Sequence, residues 1–199
     1  MSKTIDYYNN NAEDFCQGTV KADMNALYKI FEKYLFAGAA ILDCGCGSGR
    51  DSKYFMGNGY QVTAIDGSEK LCEMASELTG LDVKCMYFQD IEFENTFNGI
   101  WACASLLHLQ RKELPEVFSR LYKALKQDGV LYVSFKYGEH EGERNGRFFT
   151  DLNEKLFAEM IKGLPGFVIQ DQYITSDVRP GRDDEKWLNV ILVKKENNL

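Results

Sequence analysis

Residues 41–52 read ILDCGCGSGRDS. Two aliphatics run into Asp43, and glycines then fall at 45, 47 and 49, just ahead of Arg50. An apolar run that ends in a glycine-rich turn and opens a helix predicts a strand–loop–helix unit whose backbone a ligand can approach closely. The rest of the chain repeats the alternation. YQVTAID (60–66), DVKCMYF (82–88), NGIWACAS (98–105) and GVLYVSF (129–135) read as further strands. Helices are predicted over 50–59, over 68–78 with Ser68 as N-cap, and over 111–126. Residues 20–36 add a helix with one apolar face: Met24, Leu27, Ile30, Phe31, Tyr34 and Leu35.

Strands alternating with helices imply a parallel sheet covered on both faces. After residue 135 the pattern changes. Residues 136–147 read as a long polar loop and 150–163 as a helix; 166–178 and 186–195 read as strands joined by RPGRDDE. Strands so closely connected run antiparallel. The expected fold class is therefore α/β: a doubly wound, Rossmann-like sheet of about seven strands, the last antiparallel. A chain of 199 residues fits one domain. We divide it into an N-terminal lid and helix (1–38), a core (39–135) and a segment of loops and terminal strands (136–199).

The net charge of −7 gives no bulk attraction to nucleic acid or anionic membrane. No apolar run reaches the roughly 18 residues of a membrane span, and MSKTIDYYNNNAEDF lacks the apolar core of a secretory signal. The six cysteines (16, 44, 46, 72, 85, 103) form no C-x-x-C pair. They read as reduced thiols of a cytoplasmic protein, and no metal site is expected.

The loop Gly45-Cys46-Gly47 departs from the G-x-G-x-x-G dinucleotide fingerprint, because position 50 is arginine and the third glycine comes one place early. Asp43, ahead of the loop, suits a ligand carrying positive charge. Asp66, closing the second strand in AIDGS, suits a ribose diol. Asp90 suits an adenine amino group, with Ile91 packing on the ring. The Arg50 fork suits a carboxylate. Together these describe S-adenosylmethionine (SAM).

The stretch from Ala39 to Phe135 resembles class I SAM-dependent methyltransferases, through LDCGCGSGR, VTAIDGSEKLCEMA, YFQDI, WACASLLHL and LYKALKQDGVLYVSF in that order. The run CGCGSGRDSKYFMGNGYQVTAID looks most like the small tellurite-resistance and thiopurine-type enzymes. That resemblance implies that Arg50 holds the methionine carboxylate. It implies that Ala104 to His108 line the methyl end, and that the N-terminal segment closes over the cofactor through Tyr8, Phe15 or Thr19. His108 is the candidate general base, with a packing role as the alternative. Ser68 is foremost a helix cap and otherwise a ligand contact, and Gly67 a turn residue beside the ribose. The usual L-K-P-G-G turn is LKQDG here, on the edge away from the ligand.

Four arginines complete the list of candidates. Arg144 and Arg147 follow the fifth strand, and Arg179 and Arg182 lie between the last two. If the sixth strand is parallel to the first five, both loops leave the carboxyl edge, where such sheets bind ligands. There the arginines would face an anionic acceptor, with Tyr137 and Trp187 as an apolar wall. The alternative is that they pair with Glu141, Glu143, Asp183, Asp184 and Glu185. The expected function is methyl transfer to a small anionic or soft nucleophile, an oxyanion or thiol. The rival readings are a nicotinamide-dependent oxidoreductase, a non-catalytic SAM-binding module, and a protein or RNA methyltransferase.

Overall fold

The computed structural model describes residues 3–164 and 166–195; the remaining residues of the expected 1–199 domain lie outside the described ones. Nine strands form among the described residues: β1 (Ala40–Cys44), β2 (Gln61–Asp66), β3 (Lys84–Cys85), β4 (Phe97–Ala102), β5 (Leu125–Lys136), β6 (Glu141–Arg144), β7 (Arg147–Thr150), β8 (Phe167–Ser176) and β9 (Lys186–Lys194). Seven share a sheet in the order β3-β2-β1-β4-β5-β9-β8. The first five pair in parallel. β9 runs antiparallel to both its neighbours, so β8 is parallel to the first five. The loops after β5 and β8 therefore do leave the same carboxyl edge.

The period of two along each central strand separates two cores. Leu42, Ile100, Leu131 and Leu192 join one layer, with Phe118 and Phe157 from the helices beneath. Their chain neighbours Ile41, Trp101, Tyr132 and Ile191 join the other, under Phe31 and Phe55. All twelve residues just named are fully buried. Each such side chain contributes roughly 1.5–3 kcal/mol by leaving water. The helices that supply these layers are α3 (Asn25–Glu32), α4 (Arg50–Gly57), α6 (Leu114–Ala124) and α7 (Glu154–Ile161). Helix α5 (Glu69–Thr79) covers the sheet near β2, and α1 (Lys3–Asn10) and α2 (Ala12–Thr19) lie at the carboxyl edge. No described helix is long and apolar enough to cross a membrane.

Three elements differ from expectation. The third strand shrinks to Lys84–Cys85, exposed at the sheet edge, and passes into a short 3₁₀ turn over Phe88–Asp90. The helix expected to reach residue 126 stops at Ala124, because Leu125 turns into the sheet and pairs with Phe97. A register shift then carries the chain over Asp128, at φ 59°, to the Gly99–Val130 pair. Finally, the expected polar loop contains the β6–β7 hairpin. Asn145 and Gly146 turn it with φ of 50° and 78°, the positive angles a two-residue Asn-Gly turn requires.

Candidate functional site

A cavity at the carboxyl edge encloses about 1490 Å³ of atom-free space, its open mouth included. Its floor is the loop from β1 to α4. Gly45 has φ of 83°, and a Cβ there would stand 2.4 Å from the Ser105 Cβ. A Cβ on Gly47 would stand 3.0 Å from the Phe15 ring. Asp66 fastens the loop: its Oδ2 accepts from Gly47 N at 2.9 Å and its Oδ1 from Ser68 N at 2.9 Å. Burial raises the Asp66 pKa, and these backbone N–H groups oppose the rise. Each carboxylate oxygen still has acceptor capacity, and Asp66 lines the cavity beside Gly67, so this pair of acceptors fits the hydroxyls of a ribose diol.

Arg50 opens α4 and also lines the cavity. Its Nε and Nη2 donate to Asp51 at 2.6 and 2.9 Å, and its Nη1 donates to the Thr19 carbonyl at 3.2 Å. Asp43 is placed differently from expectation. It does not line the cavity but lies beneath the loop, where it accepts from Ser52 Oγ at 2.6 Å. Burial, and then the charge of Asp51, push its carboxyl up to about 8. The side chain at the end of β1 turns into the first turn of α4 and so cannot meet a ligand ammonium directly. Asp90 is exposed at a smaller cleft shared with Asn9 and Tyr87, and Ile91 is packed into the core. Neither lines the main cavity. Met86, Tyr87 and Phe88 do, and sequence reasoning passed over them although they immediately precede the Asp90 motif.

The N-terminal helices close the top. Thr4, Ile5, Tyr8, Phe15 and Thr19 all line the cavity. Asn9 Oδ1 accepts from Ser68 Oγ at 2.7 Å, while Ser68 also caps α5 by accepting from Leu71 N at 3.2 Å. Tyr8 meets His108: hydroxyl to Nε2 is 2.8 Å, and His108 Nδ1 lies 2.7 Å from the Phe148 carbonyl oxygen. A carbonyl only accepts, so Nδ1 carries the proton and Nε2 accepts from the Tyr8 hydroxyl. Burial pushes the His108 pKa down to about 4, and the Arg147 charge adds to the fall. Ala104 sits at the end of β4 with φ of 50°, its N–H held by Ser134 Oγ at 2.8 Å. A left-handed alanine costs roughly 1–2 kcal/mol, and it occurs here where the chain turns around the cavity.

The arginines divide. Arg144 and Tyr137 do not line the cavity: Arg144 pairs with Asp151, and the exposed Tyr137 donates to Glu154. Arg179 and Arg182 line it but are ion-paired, Arg179 with Asp177 and Arg182 with Glu185 at 2.7 Å. Against the effect of burial, Arg179 holds the Asp177 carboxyl at about 2. Glu185 also takes Lys136, so two cations share one carboxylate. Trp187 lines the same end, its Nε1 donating to Asp177 at 3.1 Å. Arg147 has no ion pair among the described residues. It stands over the rings of Tyr7 (4.6 Å) and Phe149 (5.1 Å), and its Nη1 lies 3.3 Å from the Tyr8 hydroxyl.

Residues 41–129 match the family model described as a methyltransferase domain. An uncharacterized methyltransferase of Staphylococcus carnosus is 28% identical over 126 residues, which are 60% of this chain and 61% of the relative. The chain thus spans less than two thirds of that relative's length. Among solved structures, a 1,6-didemethyltoxoflavin-N1-methyltransferase of Burkholderia thailandensis, with bound 1,6-didemethyltoxoflavin and S-adenosylhomocysteine, superposes with a TM-score of 0.76. It is 21% identical over 96% of this chain and 85% of its own. A TehB-like SAM-dependent methyltransferase from Corynebacterium glutamicum gives 0.70 and 18%, over 96% and 98%. The fold is that of class I methyltransferases, and residues 41–129 match the methyltransferase-domain model.

Proposed function

We propose that the whole chain transfers the methyl group of SAM to a small acceptor carrying an anionic group, and that Arg147 receives that group. The observation that carries this reading is the guanidinium of Arg147, which lines the cavity, is walled by aromatic rings and has no ion pair among the described residues. A partly buried cation without a carboxylate is costly unless a partner arrives, and a guanidinium pairs best with planar or polyatomic oxyanions. Lys136 and Arg182, sharing Glu185, add a second excess of positive charge at the other end of the cavity.

In this reading Asp66 receives the ribose and Arg50 the methionine carboxylate. Gly45, Cys46, Gly47 and Ala104 supply backbone around the cofactor. When bound, SAM supplies a methyl group already activated by its sulfonium. The protein then has to align an acceptor behind that methyl and exclude water. His108 reaches an acceptor only through Tyr8, because the Tyr8 hydroxyl occupies its free nitrogen. A soft or already ionised acceptor needs no base. That favours an oxyanion or thiol, as the resemblance to tellurite- and thiopurine-type enzymes implies. The six free thiols fit the expected cytoplasmic setting.

Arg147→Ala tests the reading. Screening starts with oxyanions, thiols and small carboxylates. With the accepted substrate, the variant raises KM about tenfold or more, the scale of a charged hydrogen bond, while S-adenosylhomocysteine binds as to the parent. An unchanged KM removes Arg147 from the acceptor site.

A further inference from the structure

The arrangement behind Arg50 goes further than the cofactor site itself. Arg50 and Asp51 are adjacent on a helix, and adjacent helical side chains do not face each other. Yet Arg50 folds back to lay Nε and Nη2 along both oxygens of the Asp51 carboxylate. That carboxylate is fixed from behind. Oδ2 accepts from Trp101 Nε1 at 2.8 Å, and Oδ1 accepts from the Tyr28 hydroxyl. Trp101 lies on β4 and Tyr28 on α3, so the two donors come from separate elements and Asp51 cannot follow Arg50 if Arg50 moves.

Taking the proposed role of Arg50 as its basis, we infer that Asp51, clamped by Tyr28 and Trp101, is the positioning residue that aims Arg50 at the amino-acid end of the cofactor. A guanidinium has five N–H donors. Two point at Asp51 and one at the Thr19 carbonyl. The two that are left belong to Nη1 and Nη2, the outer end of the fork, and Arg50 lines the cavity. Asp51 stays ionised in this position. Burial works against its charge, but the charge and hydrogen bonds of Arg50, with the donors from Tyr28 and Trp101, hold its pKa below the usual carboxylate range. Ionised Asp51 leaves Arg50 only its outer end for a ligand. It also removes the freedom of a long side chain, so less entropy is lost on binding.

The test is calorimetric titration of the full chain with S-adenosylhomocysteine and with 5′-methylthioadenosine, which lacks the amino-acid portion. The readout is the ratio of the two affinities, which a general loss of stability does not move. Asp51→Asn lowers the preference for S-adenosylhomocysteine by about tenfold and leaves 5′-methylthioadenosine binding as in the parent. Tyr28→Phe, which removes one donor and keeps the ring, shifts the ratio in the same direction by less. It carries the test if Asp51→Asn does not fold. An unchanged ratio in the folded variants, or equal weakening of both ligands, overturns the inference and leaves Asp51 a stabilising residue. Arg50→Ala separates the two layers of the argument. If it leaves the ratio intact, the reading of Arg50 itself fails; if it collapses the ratio while Asp51→Asn does not, only the role of Asp51 fails.

Discussion

Gly45 shows how little latitude the loop from β1 to α4 has. Its φ of 83° is a left-handed conformation, and the nearest atom to an added Cβ, the Ser105 Cβ, is 2.4 Å away. Ser105 cannot retreat freely, since its Oγ donates to the Cys44 carbonyl at 2.7 Å. Gly45→Ala therefore combines backbone strain with overpacking, a loss of about 2–4 kcal/mol. Chemical denaturation reads that loss directly, and S-adenosylhomocysteine affinity falls with it as the loop moves. A midpoint equal to the parent's would mean that the loop has slack the packing does not show. Arg144 and Arg147 illustrate the other limit of residue-level reading. They face each other across the β6–β7 turn; one finds the Asp151 carboxylate, and the other finds aromatic rings and the Tyr8 hydroxyl. Nothing in their spacing distinguishes them.

The element with the most to control is α1 together with α2. It is tied to the first turns of α5 and α4 by Asn9–Ser68 and by Thr19–Arg50, and to the far side of the cavity by Tyr8–His108 and by Thr4, whose Oγ1 accepts from Phe148 N at 3.0 Å. Helices of this length are marginal alone, so these ties and the packing of Ile5 and Phe15 keep them in place. Tyr8→Phe removes the link to His108. Amide exchange of α1 then speeds up while α4 and α6 keep their protection; equal rates in α1 would show that Tyr8 does not fasten it. The aromatic residues of this segment made its burial legible in the sequence. Its two-helix form was less legible, because polar Asn9 to Asn11 interrupt the pattern. The β6–β7 hairpin was signalled by Asn145-Gly146, but the flanking residues are too polar to read as strands.

At the scale of the whole molecule, buried titratable groups give stability a dependence on pH. His108 titrates near 4 in the folded chain against an ordinary value of 6.5, so the folded state binds fewer protons than the unfolded one between these values. Its contribution is fully present above pH 6.5 and is lost as pH falls toward 4, at about 1.4 kcal/mol per unit crossed. His108→Gln flattens this part of the profile. Thermal melts of both proteins between pH 7.5 and 4.5, a window chosen to bracket about two units of that change, check it. The gap in Tm narrows toward acid if His108 is responsible, and parallel curves would assign the acid loss to other groups. Asp43 acts in the opposite sense: its raised pKa favours the folded state at low pH and withdraws that contribution as pH rises toward about 8.

Alternating apolar runs in the sequence determined the parallel sheet, the antiparallel terminal pair and the loop carrying Gly45, Gly47 and Arg50. Those features rest on local periodicity and on backbone angles that only certain residues adopt, so they are written in neighbouring positions. Tertiary structure alone decided that Asp43 turns beneath the loop and that Asp90 stays outside the cavity. It also left Arg147, of the four arginines, without an ion pair among the described residues and placed Tyr28 and Trp101 behind Asp51. Each of these depends on side chains from distant parts of the chain, Asp51 and Trp101 being 50 positions apart. Periodicity reports which face of an element is buried, whereas the partner found there is set by how separate elements pack.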